Sequence, residues 1–122
     1  MFKILDLTNK DLIAISINGK VEKSDYDKIL PLMDKTKKDF SKIRLYIQID
    51  NVDGIEPKAF REDIKAYLKH FKDISKTAIV GESDWHKLWA NLASPFISGE
   101  VKFFPQGAIV EAKEWIMEDD NE

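Results

Sequence analysis

The sequence predicts an α/β fold built on one mixed, mostly parallel sheet, in the element order β-β-α-β-α-β-α-β-α. Three observations carry that expectation. Two apolar runs open the chain, Ile4 to Leu7 and Leu12 to Ile17, and the polar cluster Asn9-Lys10-Asp11 separates them, as in an antiparallel hairpin. From residue 43 onward, short apolar runs alternate with segments of helical period, which calls for parallel strands joined by right-handed crossovers. The composition is that of an ordinary globular chain: of 122 residues, 43% are hydrophobic and 34% charged.

Each element has its own justification. After the hairpin, Asn18-Gly19-Lys20 breaks the strand pattern, and Ser24 is a candidate N-cap for a first helix. Tyr26, Ile29, Leu30, Met33 and Phe40 then fall on one helical face. Pro31 lies inside this helix, where it removes one backbone hydrogen bond and is expected to kink it. Ile43, Leu45, Ile47 and Ile49 alternate with Arg44, Tyr46 and Gln48, the pattern of a third strand, followed by a loop over Asp50-Asn51-Val52-Asp53-Gly54. Pro57 suits the first turn of a second helix, whose Phe60, Ile64, Tyr67, Leu68 and Phe71 share one arc. A fourth strand is expected over Thr77-Ala78-Ile79-Val80-Gly81. A third helix then carries Trp85, Leu88, Trp89 and Leu92, and Ser94-Pro95 ends it. Val101 to Phe104 reads as the last strand, closed by Pro105, and Ala108, Ala112, Trp115 and Ile116 form one face of a last helix. The expectation is a single domain over residues 1–117 with an acidic tail at 118–122.

Composition excludes several chemistries. There is no cysteine, so disulfides, thiolate metal sites and cysteine nucleophiles are ruled out. The formal net charge is −3. The last five residues hold four of the acids, so the rest of the chain stands at +1. Such a balance argues against a dedicated nucleic-acid binder. No apolar run is long enough to span a bilayer, and the first residues hold none suited to a signal peptide; a cytoplasmic protein is expected.

The candidate constellations are few. No Gly-x-Ser-x-Gly elbow, Gly-x-Gly-x-x-Gly run or P-loop occurs, and no cofactor is implied. His70 and His86 both fall on expected helices, His70 on the polar side and His86 near an N-terminus that favours its neutral form. Asp50, Asp53 and Glu56 cluster at the carboxyl end of the third strand, where open α/β sheets bind ligands. Turn chemistry and helix capping account for these acids more simply than a metal site does. Lys58, Arg61, Lys65, Lys69 and Lys72 lie within about 80° on the second helix, a stripe that could meet an anionic partner or serve as a solvated face. Trp85 and Trp89, one turn apart, with Phe96 close behind, form either a core stripe or an apolar pocket or dimer surface.

The second half carries an ordered set of motifs: Ala78-Ile79-Val80-Gly81, Asp84-Trp85, Ala93-Ser94-Pro95, Glu100-Val101-Lys102-Phe103-Phe104 and Glu111-Ala112-Lys113-Glu114-Trp115-Ile116. With Leu30-Pro31-Leu32 in the first helix and the acidic loop before the second, this set resembles the bacterial SpoIIAA-like family. The resemblance implies a STAS-type fold, related in shape to anti-sigma-factor antagonists and to CRAL-TRIO lipid-transfer domains. It also implies a non-catalytic regulatory or protein-interaction module, expected as a homodimer. The alternative it leaves is a carrier of a small apolar ligand or lipid near Trp85, Trp89 and Phe96. The best-known STAS domains are switched by phosphorylation of a serine after the third strand. Asp50-Asn51-Val52-Asp53-Gly54 has no serine or threonine for such a switch.

Overall fold

The computed structural model describes residues 2–19, 22–51, 62, 74–81 and 99–118. Five strands are described: β1 (Phe2–Ile4), β2 (Leu12–Asn18), β3 (Ile43–Asn51), β4 (Ile74–Gly81) and β5 (Glu100–Pro105). Two helices are described with them, α1 (Lys23–Phe40) and α2 (Ile109–Met117), the latter entered through a 3₁₀ turn at Gln106–Ala108. The strands form one sheet in the order β1-β2-β3-β4-β5. β1 and β2 are antiparallel, and the other three pairings are parallel. Of the helices expected between β3 and β4 and between β4 and β5, only Glu62 is described, helical and exposed; the rest lie outside the described residues.

The first strand occupies Phe2–Ile4 rather than residues 4–7. The reason is a side chain. Thr8 Oγ1 accepts from the Ala14 amide at 2.9 Å, the donor that a continued ladder would give to the Leu5 carbonyl, while the Leu5 amide still donates to the Ala14 carbonyl at 2.8 Å. The chain between Leu5 and Thr8 can therefore turn. The hairpin closes as expected at Asn9-Lys10-Asp11: Asn9 and Leu12 exchange two backbone bonds of 2.9 Å around Lys10, whose φ is +55°.

α1 starts one residue before Ser24. Its first turn is closed by Asp25, whose Oδ2 accepts from the Glu22 amide at 2.8 Å, so Glu22 and not Ser24 precedes the helix. Pro31 leaves the Asp27 carbonyl without its amide donor, and the helix still runs on to Phe40. Tyr26, Ile29, Leu30 and Met33 are buried as the period predicts. Phe40 is 45% exposed, because α1 outruns its buried stripe, which ends at Thr36.

The pleat sorts the sheet into two faces, each with its own core. A row of Ile15, Ile47, Ile79 and Phe103, in register across four strands, belongs to the core beneath α1. Phe2 closes that core edge-on against Tyr26, with ring centres 5.3 Å apart. The opposite face carries Leu12, Ala14, Tyr46, Ala78, Val80 and Phe104 against Ala112 and Ile116 of α2. Ala112 and Ile116 are buried and Trp115 half-buried, in line with the face expected for the last helix.

β4 is longer than expected, starting at Ile74 and containing a bulge. Ile43 pairs with Ile74, but Arg44 pairs with Lys76, so Ser75 is the extra residue. Gly99, at φ +78°, leads into β5 and packs directly on this bulge.

One buried side-chain atom, Thr77 Oγ1, has no hydrogen-bond partner among the described residues. Burying a hydroxyl without a partner is unfavourable. Thr77→Val keeps the shape and removes the unmet polar group. It is expected to raise unfolding free energy by about 1 kcal/mol, read from the urea midpoint.

Candidate functional site

Alternation along β3 places Arg44, Tyr46, Gln48 and Asp50 on the face that meets α2. They form a polar file along the strand. Tyr46 is fully buried and donates its hydroxyl to Gln48 Oε1 at 3.0 Å. Gln48 Nε2 donates to Asp50 Oδ1 at 3.0 Å. Asp50 is exposed at the carboxyl end of the strand, and it belongs to β3 itself rather than to the loop the sequence implied. The strand runs to Asn51, but its register skips Asp50: Ile49 pairs with Ile17 and Asn51 with Asn18, so Asp50 is the extra residue of a bulge at the carboxyl end of β3. Burial, and behind it the charge of Asp50, push the Tyr46 phenol up to about 12.

The other end of the file holds α2. The Arg44 guanidinium donates through Nε and Nη2 to the two carboxylate oxygens of Asp11, at 3.0 and 2.7 Å. Its Nη1 donates to the carbonyls of Ile116 and Glu118, at 2.7 and 3.3 Å. Its neighbour in register, Lys76, donates to the Trp115 carbonyl at 3.4 Å and lies 4.9 Å from the centre of the Trp115 ring. Two cations thus cover the carbonyls that the end of a helix leaves unpaired, and they oppose its negative dipole end. Beside this clasp, a cleft of about 320 Å³ is lined by Asp6, Leu7, Lys10, Arg44 and Met117 among others.

A third buried polar group ties α1 to β1. Asp25 is 6% exposed, and its Oδ1 accepts from the Phe2 amide at 3.0 Å. Burial raises its pKa, but the amides of Glu22 and Phe2 and the charge of Lys28 outweigh it, so the carboxyl stands below its ordinary 3.8. A carboxylate with a depressed folded pKa stabilises fully above the unfolded value and loses that contribution as pH falls through the folded value. Asp25→Ala is therefore expected to cost about 2–3 kcal/mol at neutral pH, since two amides lose a charged acceptor. The gap from the unsubstituted protein should narrow below about pH 4, as urea titrations at pH 7 and pH 3 would show.

Of the residues singled out from sequence, only Asp50 is among those described. Asp53 and Glu56, the stripe Lys58, Arg61, Lys65, Lys69 and Lys72, and the aromatic set Trp85, Trp89 and Phe96 all lie outside the described residues. Among the described residues no group of three or more His, Asp or Glu side chains is placed to hold a metal. No described helix is long and apolar enough to cross a membrane. Sequence reasoning missed the Asp11–Arg44 clasp and the role of Asp25. The signal for the clasp was an arginine at the start of a buried strand; that for Asp25 was an acid at the head of a helix.

Three comparisons with known proteins bear on this arrangement. The SpoIIAA-like family model matches residues 12–117. A solved structure from Shewanella loihica PV-4, of an uncharacterised protein of the DUF3478 family with a SpoIIAA-like fold, superposes with a TM-score of 0.68 and 25% identity. That match covers 94% of this chain and 93% of the other. An ATP-dependent RNA helicase, DBP3 of Kluyveromyces lactis, is 31% identical over 75 residues, or 62% of this chain. The chain spans only 15% of that helicase's length.

Proposed function

Since the chain belongs to the SpoIIAA-like family, we propose that it is a non-catalytic regulatory or protein-interaction module of STAS type. On this reading residues 1–117 form the domain, which works in the cytoplasm as a homodimer and docks its partner at the carboxyl end of β3. The observation that carries the docking site is the placement of Asp50. It is exposed, it sits at the ligand-binding end of an α/β sheet, and one of its oxygens is already oriented by Gln48.

Among the described residues, the shielded charged groups are engaged in holding the fold, which supports a module over an enzyme. Asp25 serves two backbone amides, Asp11 and Arg44 serve each other, and Lys76 serves α2. The Tyr46 phenol, at about 12, is too weak an acid to act as a nucleophile or base near neutral pH. A protein partner also needs no phosphorylation at 50–54, where the chain has no hydroxyl residue.

Site-specific photocrosslinking in cells tests this reading. A benzoylphenylalanine at exposed Asn18, in register with Asn51 beside Asp50, keeps the carboxylate and should give discrete protein adducts that Asp50→Ala abolishes and that the same group at exposed Lys35 does not give. No adduct at position 18, or adducts indifferent to Asp50→Ala, would overturn the docking site. A turnover that scales with protein concentration and disappears in Asp50→Ala would overturn the non-catalytic reading. Light scattering that shows a monomer at high micromolar concentration would remove the dimer.

A further inference from the structure

Two members of the β3 file are joined to α2, one by hydrogen bonds and one through a shared core, and the other two lead away from it to the carboxyl end of the strand. Arg44 holds the Ile116 and Glu118 carbonyls, and Tyr46 shares a core cluster with Ala112 and Ile116. Gln48 is half-buried and Asp50 is exposed. The hydrogen bonds between them all point one way. Tyr46 donates to the Gln48 carbonyl oxygen, and the same amide donates to Asp50. A chain of bonds oriented alike is mutually polarising, so each bond is stronger for the presence of the next. The chain also ends on a carboxylate, the strongest acceptor in it.

From this geometry we propose that Tyr46, Gln48 and Asp50 act as a relay that couples engagement of Asp50 at the carboxyl end of β3 to the seating of α2. The inference rests on the docking reading above and adds a consequence to it. A cationic group that pairs with Asp50 competes with Gln48 for the carboxylate. The Gln48 amide is then held less firmly, and its carbonyl oxygen becomes a poorer acceptor for Tyr46. The Tyr46 hydroxyl is buried, so it has no water to turn to. The cost appears where that ring packs, beneath Ala112 and Ile116. α2 is suited to report it: it is nine residues long, only Ala112 and Ile116 are buried on it, and its last turn is held by Arg44 and Lys76. A short helix opens locally at lower cost than the central strands of the sheet.

The test is a double-mutant cycle on the purified protein, without any partner. Asp50→Ala removes the terminal acceptor and Tyr46→Phe removes the first donor. The readout is amide hydrogen exchange at residues 112–116 of α2, with the β2 amides as reference. In the unsubstituted background Asp50→Ala is expected to speed α2 exchange about threefold and to leave β2 unchanged. In the Tyr46→Phe background the same change should have no effect on α2, and a Gln48→Met background should abolish it likewise. An equal effect in all backgrounds, or none in any, would overturn the relay. Because no partner enters the cycle, its failure leaves the docking site untouched. Failure of the crosslinking removes the docking site and leaves the coupling to be read on its own.

Discussion

Replacing Gly99 by alanine is expected to be the most damaging single-methyl change in the described part of the molecule. Gly99 adopts φ +78°, a region that costs a side chain about 1–2 kcal/mol. The larger cost is spatial. A Cβ at this position would lie 2.5 Å from the Ile74 carbonyl oxygen and closer still to that of Ser75, and both are backbone atoms of the β4 bulge. Backbone cannot swing aside as a side-chain tip does, so either the bulge or the entry to β5 must shift. Together these amount to about 3–4 kcal/mol, or a fall in melting temperature of roughly 10–20 °C for a domain of this size. Gly19 provides the control. Its φ is +74°, but nothing lies within 4 Å of an added Cβ, so Gly19→Ala should show the conformational cost alone, about 1–2 kcal/mol. Thermal unfolding of the two variants side by side decides the matter. Equal losses would show that the contact with the bulge carries no weight.

The second large effect is expected at Arg44. Its side chain is 14% exposed and that of Asp11 is 11%, so the pair is largely shielded from solvent screening. Arg44→Met would leave the Asp11 carboxylate without its bidentate partner and the Ile116 carbonyl without its donor. Removing one member of a buried, hydrogen-bonded pair costs about 3 kcal/mol, most of it from the charge left behind. Two further variants separate the causes. Asp11→Asn in the Arg44→Met background should recover about 2 kcal/mol by removing the stranded charge. Arg44→Lys should recover little, because one ammonium cannot reach Asp11 and the helix carbonyls together as the planar fork does. Urea unfolding gives all three values. Full rescue by lysine would mean that charge alone, and not the fork, holds α2.

Much of the fold was legible in the sequence because it rests on period. The alternation from Ile43 to Ile49, the stripe from Tyr26 to Met33 and the face of Ala112 and Ile116 each follow from geometry that any pleated strand or helix must obey. Boundaries were less legible because single side chains move them. Thr8 shortened the first strand by taking the Ala14 amide, and Asp25 shifted the start of α1 by closing its first turn. The candidate site was legible at one residue. Asp50 was marked by its place after an apolar strand. Its link to Tyr46 follows from spacing of two along β3, a pattern also read as plain alternation. The grip of Arg44 on α2 spans 72 positions, and no local pattern encodes a contact at that distance.

That long reach has a consequence for the order in which the molecule is made. The sheet is laid down in chain order, so each new strand meets a finished neighbour as soon as it leaves the ribosome. Asp11 and Arg44 are synthesised early, but the carbonyl of Ile116 follows Arg44 by 72 residues. Until then the guanidinium lacks that acceptor, and Tyr46 and Ala78 lack the Ala112 and Ile116 side chains that share their core. The seating of α2 therefore follows the assembly of the five described strands, and a chain cut short before it would leave that part of the core more open to chaperones and proteases.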